Sequence, residues 1–184
     1  MATTAELVAR GSELKRELME YALRSRYARA FAEALRAQGL QSVPPEDRRR
    51  IMFFDYFMLQ HRFANGRTVL EQFVAARPDL SEEDRELVLG WRRVVEGIFE
   101  VDRRDDDALL VRNLVDGQGY RVHSNAGPQV FDELPEGSFL ITRLVPVAGD
   151  WLLSGPAATV PASEREEIYQ RAAQLAERQG AQRA

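Results

Sequence analysis

The feature that most constrains the fold is a change in hydrophobic periodicity near Phe99. Up to residue 97 the apolar residues recur at helical spacing, and from there the chain consists of short β-rich runs with turn signals between them. These runs are ALLVRNLV, GYRVHS, SFLITRLVPV and WLLSG. Four or five strands in about sixty residues predict a small, strongly bent antiparallel sheet or a partly open barrel.

Capping signals divide the first half into four predicted helices. A Ser or Thr followed three residues later by an acid favours a helix N-terminus. This spacing occurs for Thr3 with Glu6, Thr68 with Glu71, and Ser81 with Asp84. The first helix is predicted to run unbroken to about Gln38 and the fourth to continue through Ile98. Another helix is predicted from Pro44-Pro45 to Asn65-Gly66.

Together these signals predict an α+β protein with three parts. A helical half covers residues 1–97, the small β module covers 98–160, and a C-terminal helix with a polar tail covers 161–184 and packs back on the body. Within that last helix, Ile168, Ala172 and Leu175 are predicted to face inward.

Alternation along the strands predicts which side chains share a face of the sheet. Tyr120 and Val122 should point one way, and Arg121 and His123 the other. Arg143 falls on the side of apolar neighbours, so we expect it to meet an acid.

Asp55 is the one weak candidate for a catalytic residue. It lies in IMFFDYFMLQHR, residues 51–62, among four aromatic side chains, and aromatic walls raise the pKa of a carboxyl group. Catalysis would also require a second titrating group and access to solvent. The structural interpretation is therefore favoured, in which Asp55 is buried and paired with a residue of another element, an arginine serving well.

Composition excludes several classes of site. The chain has no cysteine, which rules out disulfides, thiolate catalysis and cysteine-ligated metals. His61 and His123 lack the local spacing of metal ligands and are expected at the surface or its boundary. We therefore expect no metal and no cofactor. The N-terminus has no apolar core of signal-peptide length, and no apolar run approaches about 18 residues, which predicts a cytoplasmic protein with no membrane partner.

Charge disfavours nucleic acid as a partner without excluding it. Residues 96–160 contain eleven acids and five arginines, whereas a phosphate-binding surface is locally basic. The first 50 positions have an excess of basic residues, with ten Lys or Arg against seven acids, and there Arg48, Arg49 and Arg50 are the candidates for a nucleic-acid contact. Charges on the outer face of a helix are usually solvated.

The first helix carries two apolar faces and therefore needs two covering surfaces. Leu7, Leu14, Tyr21, Ala28 and Leu35 recur at intervals of seven, next to a second line that includes Leu18. A homodimer with Leu14, Leu18 and Tyr21 in its interface would cover one face. The alternative is that the helix lies between two neighbours of its own chain.

Several segments together resemble an uncharacterised bacterial family. They are FFDYF, GRTVLEQF, LSEEDRELVLGW, GIFEV, NLVDGQGYRV and EGSFLITRLVPVAGDWLLSG, in this order over about residues 50–156. Members of that family have a helical front half, an F-x-[DE]-[WY]-F segment, a G-R-T turn and a small β module. Some relatives carry a Cys/His zinc motif of the kind found at the end of the preprotein translocase motor, which this chain lacks. The resemblance implies an architecture and no activity.

The function is thus unknown from sequence, and three hypotheses stay open. The favoured one is a non-catalytic interaction or adaptor protein of the cytoplasm with an unidentified protein partner. The second is a nucleic-acid-associated protein that uses arginines of the helical half. The third is an enzyme with Asp55 as acid or base in a cleft between the halves.

Overall fold

The computed structural model describes residues 3–183, with side chains through Arg178. Two short 3-10 turns, Pro128–Phe131 and Ala162–Glu164, accompany the helices and strands. In chain order the helices and strands are α1 (Thr4–Ala22), α2 (Ser25–Ala37), α3 (Arg48–Leu59), α4 (Val69–Ala75), α5 (Glu82–Gly90), β1 (Val95–Asp105), β2 (Ala108–Asn113), β3 (Gly119–His123), β4 (Phe139–Val147), β5 (Asp150–Val160) and α6 (Arg165–Arg183). The predicted α+β class, with helices first and one more helix last, is confirmed.

The chain folds into two compact units. The helical unit comprises the described residues up to Val94 together with Pro146–Ala148. The barrel unit comprises Val95–Val145 and the described residues from Gly149 onward. The core of the helical unit is formed by side chains from α1, α3, α4 and α5, among them Leu14, Leu18, Phe57, Leu70 and Trp91, all fully buried.

The predicted first helix is in fact two helices. α1 ends at Ala22, and the backbone of Arg24 is extended, with φ −62° and ψ 147°, so α2 begins in a new direction at Ser25. The apolar face of α2 packs on α3, where the Phe31 ring lies 5.3 Å from that of Phe54 and 5.0 Å from that of Phe57. The chain itself therefore covers the second apolar face.

The helix signals are confirmed where they are local. Thr3 with Glu6 and Thr68 with Glu71 form capping boxes, and the Ser81 hydroxyl accepts a hydrogen bond from the Asp84 N–H. The helix predicted from Pro44 to Gly66 is shorter than expected. Asp47 caps it, and it ends at Leu59, well before the Asn-Gly turn.

The predicted fourth helix ends eight residues early. α5 stops at Gly90, and β1 begins at Val95, which pairs with Leu144 of β4. The segment around Ile98 is apolar and partly β-branched, so its sequence is compatible with a helix or a strand. It forms a strand because it pairs with β2 on one edge and β4 on the other. Gly97 supports this pairing, because a Cβ there would lie 2.7 Å from Asn113 Oδ1.

The five strands form one bent sheet in the order β1-β2-β3-β5-β4, with β4 beside β1 again, so the sheet closes as a barrel. The β1–β2, β2–β3 and β1–β4 pairs are antiparallel. β3 and β5 run parallel, with Val122 opposite Trp151, which differs from the predicted all-antiparallel pairing. A small five-stranded barrel is also the architecture of the OB-fold.

Alternate residues of the strands face two different apolar clusters. Phe99 and Val101 point into the barrel with Val122, and Tyr120 packs against the same cluster. Ile98 and Phe139 point outward and are covered by α6 through Ile168, Ala172 and Leu175. The predicted alternation of β3 and the inward face of α6 are confirmed. Arg143 is buried and meets Glu96 at 3.0 Å, as predicted.

Candidate functional site

Asp55 is buried within the helical unit and paired with Lys15. The carboxylate sits on α3 with 3% of its surface exposed, and Lys15 Nζ reaches it from α1 at 2.8 Å from Oδ1. Lys15 Nζ also lies 5.6 Å from the centre of the Trp91 ring. The predicted partner from another element is present in the form of Lys15 on α1. The pair is placed to hold α1 against α3.

Aromatic rings surround the end of α3. The His61 ring stacks on Phe57 at 5.1 Å and meets the edge of Phe63 at 5.2 Å. Burial lowers the pKa of His61, so the imidazole is neutral at pH 7. His61 was expected at the surface boundary, and it is half-buried there.

The arginines proposed for nucleic acid do not share one exposed surface. Arg49 is exposed and pairs with Asp47 at 3.0 Å, whereas Arg48 and Arg50 are half-buried. Arg50 Nη1 donates a hydrogen bond of 2.8 Å to the Val43 carbonyl. Of the three guanidinium groups, only that of Arg49 lies at the exposed surface, and it is neutralised by an acid.

Two further arginines at the turn between α1 and α2 are engaged with tyrosines. The guanidinium of Arg24 lies 4.5 Å from the Tyr21 ring centre, and that of Arg26 lies 4.5 Å from Tyr21 and 4.6 Å from Tyr27. Arg26 also donates hydrogen bonds to both tyrosine hydroxyl groups. A nucleic-acid base could stack on these tyrosine rings only after the contacts with the arginines were broken.

The side chains proposed for a dimer interface are already covered by their own chain. Leu14, Leu18 and Tyr21 are buried in the core of the helical unit. In this fold their side chains contact neighbours of the same unit, and the dimer interface stays a prediction. On this helix, Met19 and Leu23 are the exposed large apolar side chains, with 41% and 67% of their surfaces exposed.

A cavity of about 480 Å³ opens on the surface of the helical unit between the α3–α4 loop, α4 and α5. Three arginines and one acid line it, together with small and apolar residues. The lining residues are Arg62, Asn65, Gly66, Arg67, Glu71, Val74, Ala75 and Arg85. The sequence gives little indication of this site. Its only local signal is a pair of arginines flanking the Asn-Gly turn, since Arg85 joins them from α5.

In the barrel unit, Glu100 is a buried acceptor that anchors α6. It accepts hydrogen bonds from Arg112 at 2.5 Å and from the Tyr169 hydroxyl at 2.6 Å, and a third from Arg165. Two of these three donors belong to α6. Glu100 therefore acts as an attachment point for the C-terminal helix.

The β2–β3 side of the barrel carries a partly exposed cluster of ion pairs. Arg121 Nε lies 2.8 Å from Asp105 at the β1–β2 hairpin, and its Nη1 lies 2.7 Å from Asp150, which follows the β4–β5 turn. His123 Nε2 is 2.8 Å from the same Asp150 oxygen and is buried, so its predicted surface position is wrong. OB-fold barrels bind ligands at this face and these two loops. In this chain the arginine of that face, Arg121, is already neutralised by carboxylates.

The fold and these sites define an α+β protein with a helical unit and a small closed barrel. The chain belongs to the family described as "Family of unknown function (DUF7986)", whose model matches residues 6–184. The predicted resemblance to an uncharacterised family is thus confirmed, and it extends over α1, which the resembling segments did not reach. No curated protein and no solved structure matches the chain.

Within residues 3–183 the structure contains neither a candidate membrane span nor a metal-binding cluster. No helix in that range combines the length and the apolar character needed to cross a membrane. In the same range, His, Asp and Glu side chains do not gather in groups of three or more that could hold a metal ion.

Proposed function

We propose that the protein is a non-catalytic interaction protein that binds an anionic group of a partner protein through the arginine-lined cavity. The observation that carries this proposal is the convergence of Arg62, Arg67 and Arg85 on an open surface cavity that contains one acid, Glu71. A local excess of positive charge attracts anionic partners and orients their approach.

The enzyme hypothesis receives less support from Asp55 than the interaction hypothesis receives from the cavity. A general acid or base must reach the proton that it transfers. Asp55 is buried on α3 and held by Lys15 at 2.8 Å, so substrate could reach it only after the two helices separate. The pair supports a structural role for both residues.

The nucleic-acid hypothesis is also supported less well. Arg24 and Arg26 lie against tyrosine rings, and Arg29 and Arg49 pair with Glu33 and Asp47. A duplex or single strand is held by several phosphate contacts along a basic surface. The cavity instead concentrates its arginines at one point, which favours recognition of a single anionic group.

The cytoplasm is the compartment that we propose for this interaction, and cell fractionation tests it. A homodimer also stays a prediction. Because Leu14, Leu18 and Tyr21 are buried, such a dimer would have to use exposed residues such as Met19 and Leu23. Light scattering on the native chain and on Leu23→Ser decides between a dimer and a monomer.

Affinity capture with matched variants tests the interaction. Tagged full-length protein is captured from cells that express it naturally, and the proteins retained are quantified by mass spectrometry. The double variant Arg67→Gln/Arg85→Gln should lose partners that the native chain retains. The matched control is Arg16→Gln/Arg36→Gln, which removes two exposed arginines of α1 and α2 outside the cavity. Equal retention by native chain and cavity variant would contradict the proposal.

A further inference from the structure

The cavity of the helical unit holds one of its arginines in a fixed position. Arg62 Nη1 donates a hydrogen bond of 2.6 Å to the Gly66 carbonyl, across the Asn-Gly turn. The same nitrogen lies 3.7 Å from Glu71 Oε2. Gly66 has a φ of +75°, a conformation that glycine adopts without strain, and this turn brings Arg62 and Arg67 to the same opening.

Glu71 is occupied by the protein itself. One carboxylate oxygen accepts a hydrogen bond of 2.9 Å from the Thr68 N–H, and the other lies 3.5 Å from Arg92 Nη1. The hydrogen bond from Thr68, followed by the charges of Arg62 and Arg92, lowers the pKa of Glu71, so it stays ionised at neutral pH. Glu71, with its single negative charge, thus lies beside Arg62 and Arg92, and among the described residues no carboxylate forms an ion pair with the other two arginines of the cavity.

Arg67 and Arg85 differ from most arginines of the helical unit. Arg10 and Arg77 each bind two carboxylates. Among the residues of the described chain, the Arg67 side chain makes no hydrogen bond or ion pair. The only hydrogen bond of the Arg85 side chain there is a 3.5 Å contact from Nη2 to the Arg77 carbonyl. Both guanidinium groups therefore have hydrogen-bond donors to offer a ligand.

We infer that this cavity binds a phosphate monoester. The inference rests on the proposed function and names the anionic group. A phosphate monoester carries a charge of about −1.5 to −2 at pH 7 and three acceptor oxygens, which match the planar donor pairs of guanidinium groups. The three arginines and one glutamate of the lining leave an excess of two positive charges. A carboxylate would bring half that charge and two oxygens.

The size of the cavity fits a phosphate with the group that bears it. Its volume of about 480 Å³ lies within the range of roughly 300–1,000 Å³ found for ligand pockets. Val74 and Ala75 of α4 form an apolar wall beside the arginines, against which the carbon atoms of the ester can pack. Both a phosphorylated side chain of a protein and a small phosphate ester have this chemistry.

Calorimetric titration of the full chain tests the inference, with phenyl phosphate as the probe and benzoate as its carboxylate counterpart. We expect phenyl phosphate to bind the native chain and the control Arg16→Gln/Arg36→Gln alike. Removal of charge-assisted hydrogen bonds in Arg67→Gln/Arg85→Gln should weaken binding about tenfold or more. Equal binding of benzoate, or equal binding by the cavity variant, would overturn the inference.

Amide shifts of the native protein provide a readout that does not depend on any variant. Phenyl phosphate should move the N–H resonances of Gly66 and Arg67 in a saturable way, and shifts confined to other residues would overturn the inference. A phosphoserine peptide that binds more tightly than phenyl phosphate indicates a protein source of the phosphate. A small phosphate ester such as glycerol phosphate that binds more tightly than the peptide indicates a small-molecule source, and tighter binding of inorganic phosphate than of either ester would overturn the inference.

The two proposals fail in different ways. If phenyl phosphate does not bind but captured partners still depend on Arg67 and Arg85, the phosphate inference is wrong and the interaction stands. If phenyl phosphate binds but capture is identical for the native chain and the cavity variant, the interaction through this surface is wrong. The site would then be one for a small phosphate ester.

Discussion

Lys15 Nζ lies 2.8 Å from Asp55 Oδ1, joining α1 to α3 inside the helical unit. Lys15 is the only lysine of the chain, and its 25 basic residues are otherwise arginines. The ammonium group of Lys15 lies near both the Trp91 ring, 5.6 Å from its centre, and the Asp55 carboxylate. Separating the two helices would leave two buried charges without each other, which is costly, so the pair is expected to favour this packing.

Asp55→Asn should lower the free energy of unfolding by about 1–3 kcal/mol, because Lys15 then loses its carboxylate partner in a buried position. Lys15→Met should have a cost of similar size. Urea denaturation of the full chain measures both. The double variant Asp55→Asn/Lys15→Met should cost clearly less than the sum of the two single changes, since it removes both charges. Additive losses would show that the two residues do not stabilise each other.

The Asp84–Arg10 pair should make the helical unit sensitive to acid. Arg10 Nε and Nη2 lie 3.0 and 2.7 Å from the two carboxylate oxygens, and these hydrogen bonds lower the pKa of Asp84 below its ordinary 3.8. A lowered folded-state pKa contributes stability above pH 3.8, and this stability is lost as the pH falls through the folded value. Asp84→Asn should therefore flatten the dependence of the unfolding free energy on pH between pH 5 and 2.

Arg10→Met provides the check on that prediction, because it removes the cause of the pKa shift and leaves Asp84 in place. It should flatten the same part of the curve. An acid slope unchanged in both variants would mean that the pair does not contribute to stability in solution.

Glu100→Gln should loosen α6 from the barrel. The neutral amide is a weaker acceptor for Arg112, Arg165 and Tyr169, and hydrogen bonds to a charged group contribute about 1.5–3 kcal/mol each. Hydrogen exchange of the amides of α6 should speed up, while those of β2 and β3 stay protected. Glu166→Gln, an exposed acid in the first turn of the same helix, is the control. Equal exchange rates in the two variants would contradict the anchoring role.

Tyr120 should limit the stability of the barrel at high pH. Burial, and then the charge of Asp116, raises the pKa of Tyr120 to about 12. A raised folded-state pKa contributes stability that is complete below pH 10 and is lost as the pH rises toward 12. Tyr120→Phe should make the unfolding free energy less dependent on pH in this window. The chain has five tyrosines, so the difference in tyrosinate absorbance between the native chain and Tyr120→Phe gives the titration of Tyr120, and a midpoint near pH 10 would contradict the shift.

The local parts of the fold were predictable from the residues. Capping boxes at Thr3 and Thr68 form within four residues, and the hairpin at Gly117 needs a positive φ that glycine supplies, so neighbours in sequence decide them. The alternation of Tyr120 and Val122 and the ion pair of Arg143 follow from strand geometry in the same way. Of the sites, the need of Asp55 for a partner was predictable, and the partner was not.

The tertiary structure alone decided those features in which residues distant in sequence meet. The break at Arg24, the start of β1 at Val95 and the parallel β3–β5 pair each depend on which element lies alongside, and a periodic pattern fits more than one neighbour. The cavity is the clearest case. The sequence places Arg62 and Arg67 around one turn, but Arg85 joins them only because α5 packs beside α4. The positive charge of the site therefore arises only when the three side chains line the same cavity.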